Sequence, residues 1–140
     1  MRAIALDRTK KEVFVQTAEK YHTIVFYSPD MDFCVSLRLL FQDRYNMITI
    51  TDPRMLQMTV REFKADLVIV DSLPTEKLKL QFEIMKRENP RVHILSFYAS
   101  RFNDKRIHQF IRQSVDAAFS KPIDLAEVTQ SIHELMGQNA

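Results

Sequence analysis

The chain has 140 residues, of which 46% are hydrophobic and 27% are charged, and its formal net charge is only +2. This length suffices for one domain with a buried core, and so small a net charge gives no strong field for nucleic acid. The single glycine, Gly137, excludes the glycine-rich phosphate loops of nucleotide-binding enzymes. No apolar run approaches membrane-spanning length. We therefore expect a cytoplasmic protein that binds neither nucleic acid nor membrane.

Residues 1–21 predict an N-terminal extension ahead of the main domain. Two short apolar runs, at residues 3–6 and 13–15, flank a polar turn sequence and suit a small hairpin. A short helix over residues 11–20 is the alternative. The segment is mildly basic, which is typical of a solvated surface and, as a second reading, of an arm that docks a partner.

From residue 22 onward, strand and helix patterns alternate five times. Runs of β-branched and aromatic residues predict strands at residues 23–27, 46–50, 66–70, 92–97 and 117–120. Apolar residues at helical spacing predict a helix after each strand. The predicted inner faces are Phe33, Leu37, Leu40 and Phe41; Leu56, Val60 and Phe63; Leu78, Phe82 and Met85; Ile107, Phe110, Ile111 and Ser114; and Leu125, Val128, Ile132 and Leu135. Five such units predict an α/β domain over residues 22–137, a doubly wound parallel sheet with helices on both faces.

Three polar residues stand where predicted strands end. Asp71 closes the apolar run that begins at Ala65, Ser96 closes the fourth strand and Lys121 follows the fifth. Because the carboxyl ends of parallel strands meet at one edge of a sheet, we expect the three side chains to converge. A carboxylate, a hydroxyl and an ammonium together are suited to accept, orient and neutralise a phosphoryl group, with the carboxylate as nucleophile.

In this order, the segments resemble the receiver domains of bacterial two-component response regulators. Residues 65–71 (ADLVIVD) resemble the phosphoacceptor strand, residues 119–124 (FSKPID) resemble the lysine-proline segment after the fifth strand, and residues 95–96 (LS) resemble the end of the fourth strand. The resemblance covers about residues 22–137 and implies the flavodoxin-like fold of the chemotaxis regulators. It implies that Asp71 is the phosphoacceptor, Ser96 the switch hydroxyl and Lys121 the phosphate-binding lysine.

The chain departs from that family where the family holds magnesium. Tyr27 and Ser28 stand in place of the acidic pair after the first strand, and a register shifted by one residue supplies no carboxylate either. Asp30 lies just beyond, where it suits a helix cap, and a displaced metal ligand acting with Asp71 is the alternative. The expectation for Mg²⁺ is therefore a weak site at Asp30 and Asp71 or none. The loop after Asp71 is also short, and Ala118 stands near the family's aromatic switch position.

Two non-enzymatic functions follow from these features. In the first, a single-domain response regulator receives a phosphoryl group on Asp71 from a sensor histidine kinase or phosphotransfer protein, and then binds a downstream protein partner. In the alternative, a phosphorylation-independent pseudo-receiver acts as a docking or dimerisation module. Both use the face of the fourth and fifth helices, where the resemblance also implies a homodimer. The candidate residues on that face are Arg106, His108, Arg112, Gln130 and Glu134.

Overall fold

Five strands and five helices alternate along residues 21–99 and 105–137, the part of the chain that the computed structural model describes. Residues 1–20 of the predicted extension lie outside these ranges. The strands are β1 (Thr23–Tyr27), β2 (Asn46–Ile50), β3 (Leu67–Asp71), β4 (His93–Ala99) and β5 (Ala117–Lys121). The helices are α1 (Met31–Phe41), α2 (Leu56–Phe63, after a short 3-10 turn at Pro53–Met55), α3 (Glu76–Glu88), α4 (Lys105–Ser114) and α5 (Leu125–Gly137).

The strands form one parallel sheet in the order β2-β1-β3-β4-β5. The most buried strand is β3, in which all five residues from Leu67 to Asp71 are buried. It lies between β1 and β4, and its last residue, Asp71, pairs with Phe97. This order confirms the predicted fold class, the flavodoxin-like arrangement of a doubly wound sheet. It also places the carboxyl ends of β1, β3 and β5 on a common edge.

Two hydrophobic clusters cover the two faces of the sheet. Residues of α1 and α5 pack with alternate strand residues such as Phe26, Ile69 and Phe97 on one face. Residues of α2 and α3 pack with the intervening strand residues, such as Val25 and Val70, on the other. Burial of these side chains is the main force that holds helices on the sheet. None of the described helices has the length and apolar content needed to span a membrane.

Four of the predicted inner-face residues are exposed in the structure. Leu40 and Phe63 are 46% and 49% exposed, and Ile107 and Leu125 are also largely accessible to solvent. Each lies at the edge of a correctly predicted stripe, because helical spacing identifies an apolar arc without fixing how much of it meets the sheet. Met136, which the predicted stripe of α5 omitted, is buried.

Strand β4 is longer than predicted. Its pairing continues past Phe97, since Tyr98 and Ala99 pair with Ser120 and Lys121 of β5. Ser96 therefore does not end the strand, and the prediction that it stands at the sheet edge is wrong. In the apolar and aromatic sequence of β4, a single small hydroxyl residue is easily mistaken for the end of the strand.

Candidate functional site

Both carboxylate oxygens of Asp71 are engaged by side chains from neighbouring loops and strands. The hydroxyl of Ser28 donates a hydrogen bond to Oδ2 over 2.7 Å. The ammonium of Lys121 forms an ion pair with Oδ1. The Asp71 side chain is only 5% exposed, whereas that of Lys121 is 40% exposed. The carboxylate is thus buried, charge-compensated and hydrogen-bonded, which is the condition under which a buried charge is tolerated.

The backbone places Ser28 beside Asp71, because Tyr27 and Val70, the residues before them, are paired between β1 and β3. The amide of Ser28 donates to the carbonyl of Ile50 over 3.1 Å, which continues the hydrogen-bond ladder one residue beyond β1. The Ser28 hydroxyl, in turn, accepts a hydrogen bond from the amide of Asp30 over 3.0 Å. Since Ser28 is fully buried, this hydroxyl is fixed between one donor and one acceptor.

Aromatic rings pack together beneath the Asp71–Lys121 pair. Phe33 of α1 lies edge-on to Phe26, with ring centroids 5.2 Å apart, and is stacked on Phe97 at 5.9 Å. The Lys121 ammonium lies 5.7 Å from the centroid of the Phe33 ring, within the range of a cation–π contact. Helical spacing predicts Phe33 only as a core residue and gives no signal of this second contact.

Asp30 acts as the N-cap of α1. Its Oδ1 accepts hydrogen bonds from the amides of Asp32, at 3.0 Å, and Phe33, at 3.3 Å. Among the described residues, no group of three His, Cys, Asp or Glu side chains is placed to hold a metal ion. Mg²⁺ prefers several oxygen ligands, and the one buried carboxylate here already has two partners. The described residues supply too few free carboxylate oxygens for a strong magnesium site, and weak binding through Asp30 and Asp71 stays a prediction.

The side chain of Ser96 points to the opposite face of the sheet from that of Asp71, and Ser96 does not lie at the end of its strand. It pairs with Val70, whose side chain belongs to the core on the α2 and α3 face. Its hydroxyl is buried and donates to the backbone carbonyl of Ser72 over 3.1 Å. The hydroxyl therefore supports the loop that follows β3. No contact with Asp71 supports its predicted role as switch hydroxyl, which stays a prediction.

The predicted partner face divides into exposed and packed residues. Arg106 and Arg112 are exposed on α4, and Gln130 and Glu134 are exposed on α5. The side-chain amide of Gln130 donates a hydrogen bond to the carboxylate of Glu134, one helical turn away, over 3.1 Å. His108 is instead half-buried. Its Nδ1 lies 3.3 Å from the Tyr98 hydroxyl, so this histidine supports the packing of α4 on β4.

Burial changes the acid–base behaviour of two groups near the site. It raises the pKa of the Tyr27 phenol, and the negative charge of Asp71 raises it further. It also raises the pKa of the Cys34 thiol, although a hydrogen bond with the Ser28 backbone opposes part of that shift. Both groups therefore stay neutral near pH 7 and add no charge beside Asp71 and Lys121.

The chain has the receiver fold, and solved structures show the same fold. The chain is similar to a Burkholderia pseudomallei protein described as pilus assembly-related, with 16% identity and a TM-score of 0.68 over 91% of this chain and 96% of that one. It is similar to a response regulator from Desulfuromonas acetoxidans, with 13% identity and a TM-score of 0.67 over 84% and 98% of the chains.

A third similar structure is the N-terminal domain of the nisin resistance regulator, a lantibiotic response regulator, with 16% identity and a TM-score of 0.66 over 81% and 97% of the chains. No family model and no curated protein matches the sequence. The likeness confirms the receiver fold. Because a fold alone does not define a function, any conclusion about function must rest on the residues of the site.

Proposed function

We propose that this chain is a receiver-fold signalling module of the two-component type that works by binding a protein partner without a magnesium-dependent phosphorylation switch. The observation that carries the proposal is the closed network at Asp71, in which Ser28 and Lys121 engage both carboxylate oxygens. A phosphoacceptor needs an oxygen free to attack and a cation that gathers the phosphoryl oxygens. Here a neutral hydroxyl stands on the side of the site where a second carboxylate would help to hold that cation.

The partner face supports output by protein binding. Arg106 and Arg112 project from α4, and Gln130 and Glu134 project from α5. Helix α4 contacts β5, and α5 packs against the cluster that includes Phe119 of β5, so both helices lie beside the last strand of the sheet. Arginine is enriched at protein interfaces, and an exposed mixed-charge surface is suited to an oppositely patterned partner or a second copy of the chain.

A second candidate function is phosphotransfer from a sensor histidine kinase or phosphotransfer protein onto Asp71. It is favoured by the ion pair with Lys121, since an ammonium beside a strand-end carboxylate is also suited to hold a phosphoryl oxygen. The resemblance to response regulators supports the same reading. The two candidates share the fold and the partner face and differ only in whether Asp71 reacts.

Intact mass spectrometry separates the two. The full chain is incubated with acetyl phosphate and Mg²⁺, beside Asp71→Asn and the matched surface variant Asp43→Asn. We expect no phosphoryl adduct on any of them. An adduct present in the wild type and in Asp43→Asn, and lost in Asp71→Asn, would establish the second candidate. The incubation is repeated with Mn²⁺, so that the result does not depend on one metal.

A further inference from the structure

A cavity of about 210 Å³ opens on the opposite side of the sheet edge from the Asp71 network. It lies where β1 and β3 meet the beginnings of α2 and α3. The apolar part of its wall includes Tyr27, Pro53 and Leu78. Ser72, Thr75, Gln81 and the basic residues Arg54 and Lys77 supply polar and charged groups. An engineered apolar cavity of about 150 Å³ binds benzene, so this space suits a single ring with one small substituent.

Two polar groups of the wall are available to a ligand. Tyr27 is 7% exposed, and no hydrogen bond joins its hydroxyl to another residue in the described parts of the chain. The side-chain oxygen of Gln81 is buried and likewise has no partner there. A buried polar atom without a partner destabilises the protein, and phenol hydroxyls usually hydrogen-bond to a partner. A bound molecule that donates a hydrogen bond to the Gln81 oxygen would relieve this, and the Tyr27 hydroxyl offers a second hydrogen-bonding group.

Lys77 supplies the main positive charge at the rim of the cavity. Lys77 is exposed in the first turn of α3. Arg54 is paired with Asp52 over 2.9 Å but keeps an 86% exposed side chain. Amides in the first turn of a helix also favour a negative group. The rim therefore complements one anionic substituent, while the ring of a ligand would contact the apolar wall.

We propose that this cavity, which we call the α2–α3 pocket, binds a compact aromatic or heteroaromatic molecule that carries one anionic group. The ring packs against Tyr27, Pro53 and Leu78, and the anionic group faces Lys77. The proposal is independent of whether Asp71 is phosphorylated. Because Tyr27 precedes Ser28 and Ser72 follows Asp71, an occupied pocket contacts both strands next to the Asp71 network.

Phenylphosphonate is the probe, because it combines one ring with a non-transferable anion. The full chain, labelled with ¹⁵N, is titrated and followed by amide chemical shifts. We expect saturable shifts centred on Tyr27, Ser72 and residues 75–81. Methylphosphonate, which lacks the ring, and benzyl alcohol, which lacks the charge, should each bind at least fivefold more weakly.

Variants complete the test. Lys77→Gln should weaken binding at least fivefold, and Tyr27→Phe at least threefold. Arg87→Gln, which removes the same charge at the far end of α3, should leave binding unchanged. Thermal melting confirms that each variant is folded. The proposal is overturned if shifts fail to saturate, centre on Lys121, respond equally to Lys77→Gln and Arg87→Gln, or are as strong with methylphosphonate.

Discussion

The Ser28 hydroxyl donates to Oδ2 of Asp71 over 2.7 Å, joining the residue after β1 to the last residue of β3. Lys121 holds the other oxygen of the same carboxylate. A hydrogen bond to a charged acceptor is roughly twice as strong as one between neutral groups. The pair Ser28–Asp71 therefore contributes to folding stability as well as to the state of the site, and both contributions are measurable.

Ser28→Ala should lower the free energy of unfolding by about 1–3 kcal/mol, because a buried carboxylate loses one of its two partners. Urea denaturation at pH 7 measures the change. Ser120→Ala, at an exposed position near the end of β5, is the matched control and should shift stability by less than about 0.5 kcal/mol. Equal effects of the two substitutions would contradict a special role for the Ser28 hydroxyl.

Lys121→Gln should cost about 1–3 kcal/mol. Removing one partner of a fully buried ion pair costs about 3–5 kcal/mol, and the smaller figure reflects the partial exposure of Lys121. The exposed Lys105→Gln on α4 removes the same charge and should have little effect. If both lysine substitutions gave the same small change in urea midpoint, the Asp71–Lys121 pair would behave as an ordinary surface ion pair.

Asp30→Ala should destabilise the protein by about 1 kcal/mol, since α1 loses a cap that accepts two amide hydrogen bonds. Asp30→Asn should cost less than half as much, because the amide oxygen still caps the helix. Thermal and urea unfolding of both variants, with and without Mg²⁺, tests this. A loss in Asp30→Asn as large as in Asp30→Ala, seen only with Mg²⁺ present, would show that Asp30 is a metal ligand.

Stability should fall at alkaline pH, partly because of Cys34. Its folded-state pKa is raised above the ordinary value of 9.0, so the unfolded thiol loses its proton first as the pH rises. The contribution is complete below about pH 9 and is lost as the pH rises through the folded pKa. Urea midpoints at pH 7 and pH 10 should differ less in Cys34→Ala than in the wild type. An identical difference in both would contradict the raised pKa.

The sequence was most informative where chain order and physical chemistry agree. An apolar run closed by one carboxylate predicted both the central strand and the position of Asp71, and a lysine before proline predicted the position of Lys121. Both inferences need only the rule that parallel strands end at one edge. These two residues do meet in the structure.

Other features depended on distances that no local pattern encodes. Ser28 was identified only as a substitute in an acidic pair, and nothing in its neighbours indicated a hydrogen bond to a residue 43 positions away. Ser96 was misplaced because the end of β4 is decided by pairing with β5, which is a long-range contact. Similarly, Leu40 and Phe63 lie at the edges of helical stripes whose width depends on how each helix rests on the sheet.

Ser28 and Lys121 engage both carboxylate oxygens of Asp71, and we propose that phosphorylation does not switch this protein. The most direct test of this proposal is the ¹H–¹⁵N spectrum of the full chain with Mg²⁺ and beryllofluoride, an analogue of the phosphoryl group, with Asp71→Asn as the control. We expect beryllofluoride to leave the amide shifts of β4, α4 and β5 unchanged in the wild type, as in Asp71→Asn, with no saturable change in either protein. Saturating shifts in these elements that appear in the wild type and vanish in Asp71→Asn would contradict the account.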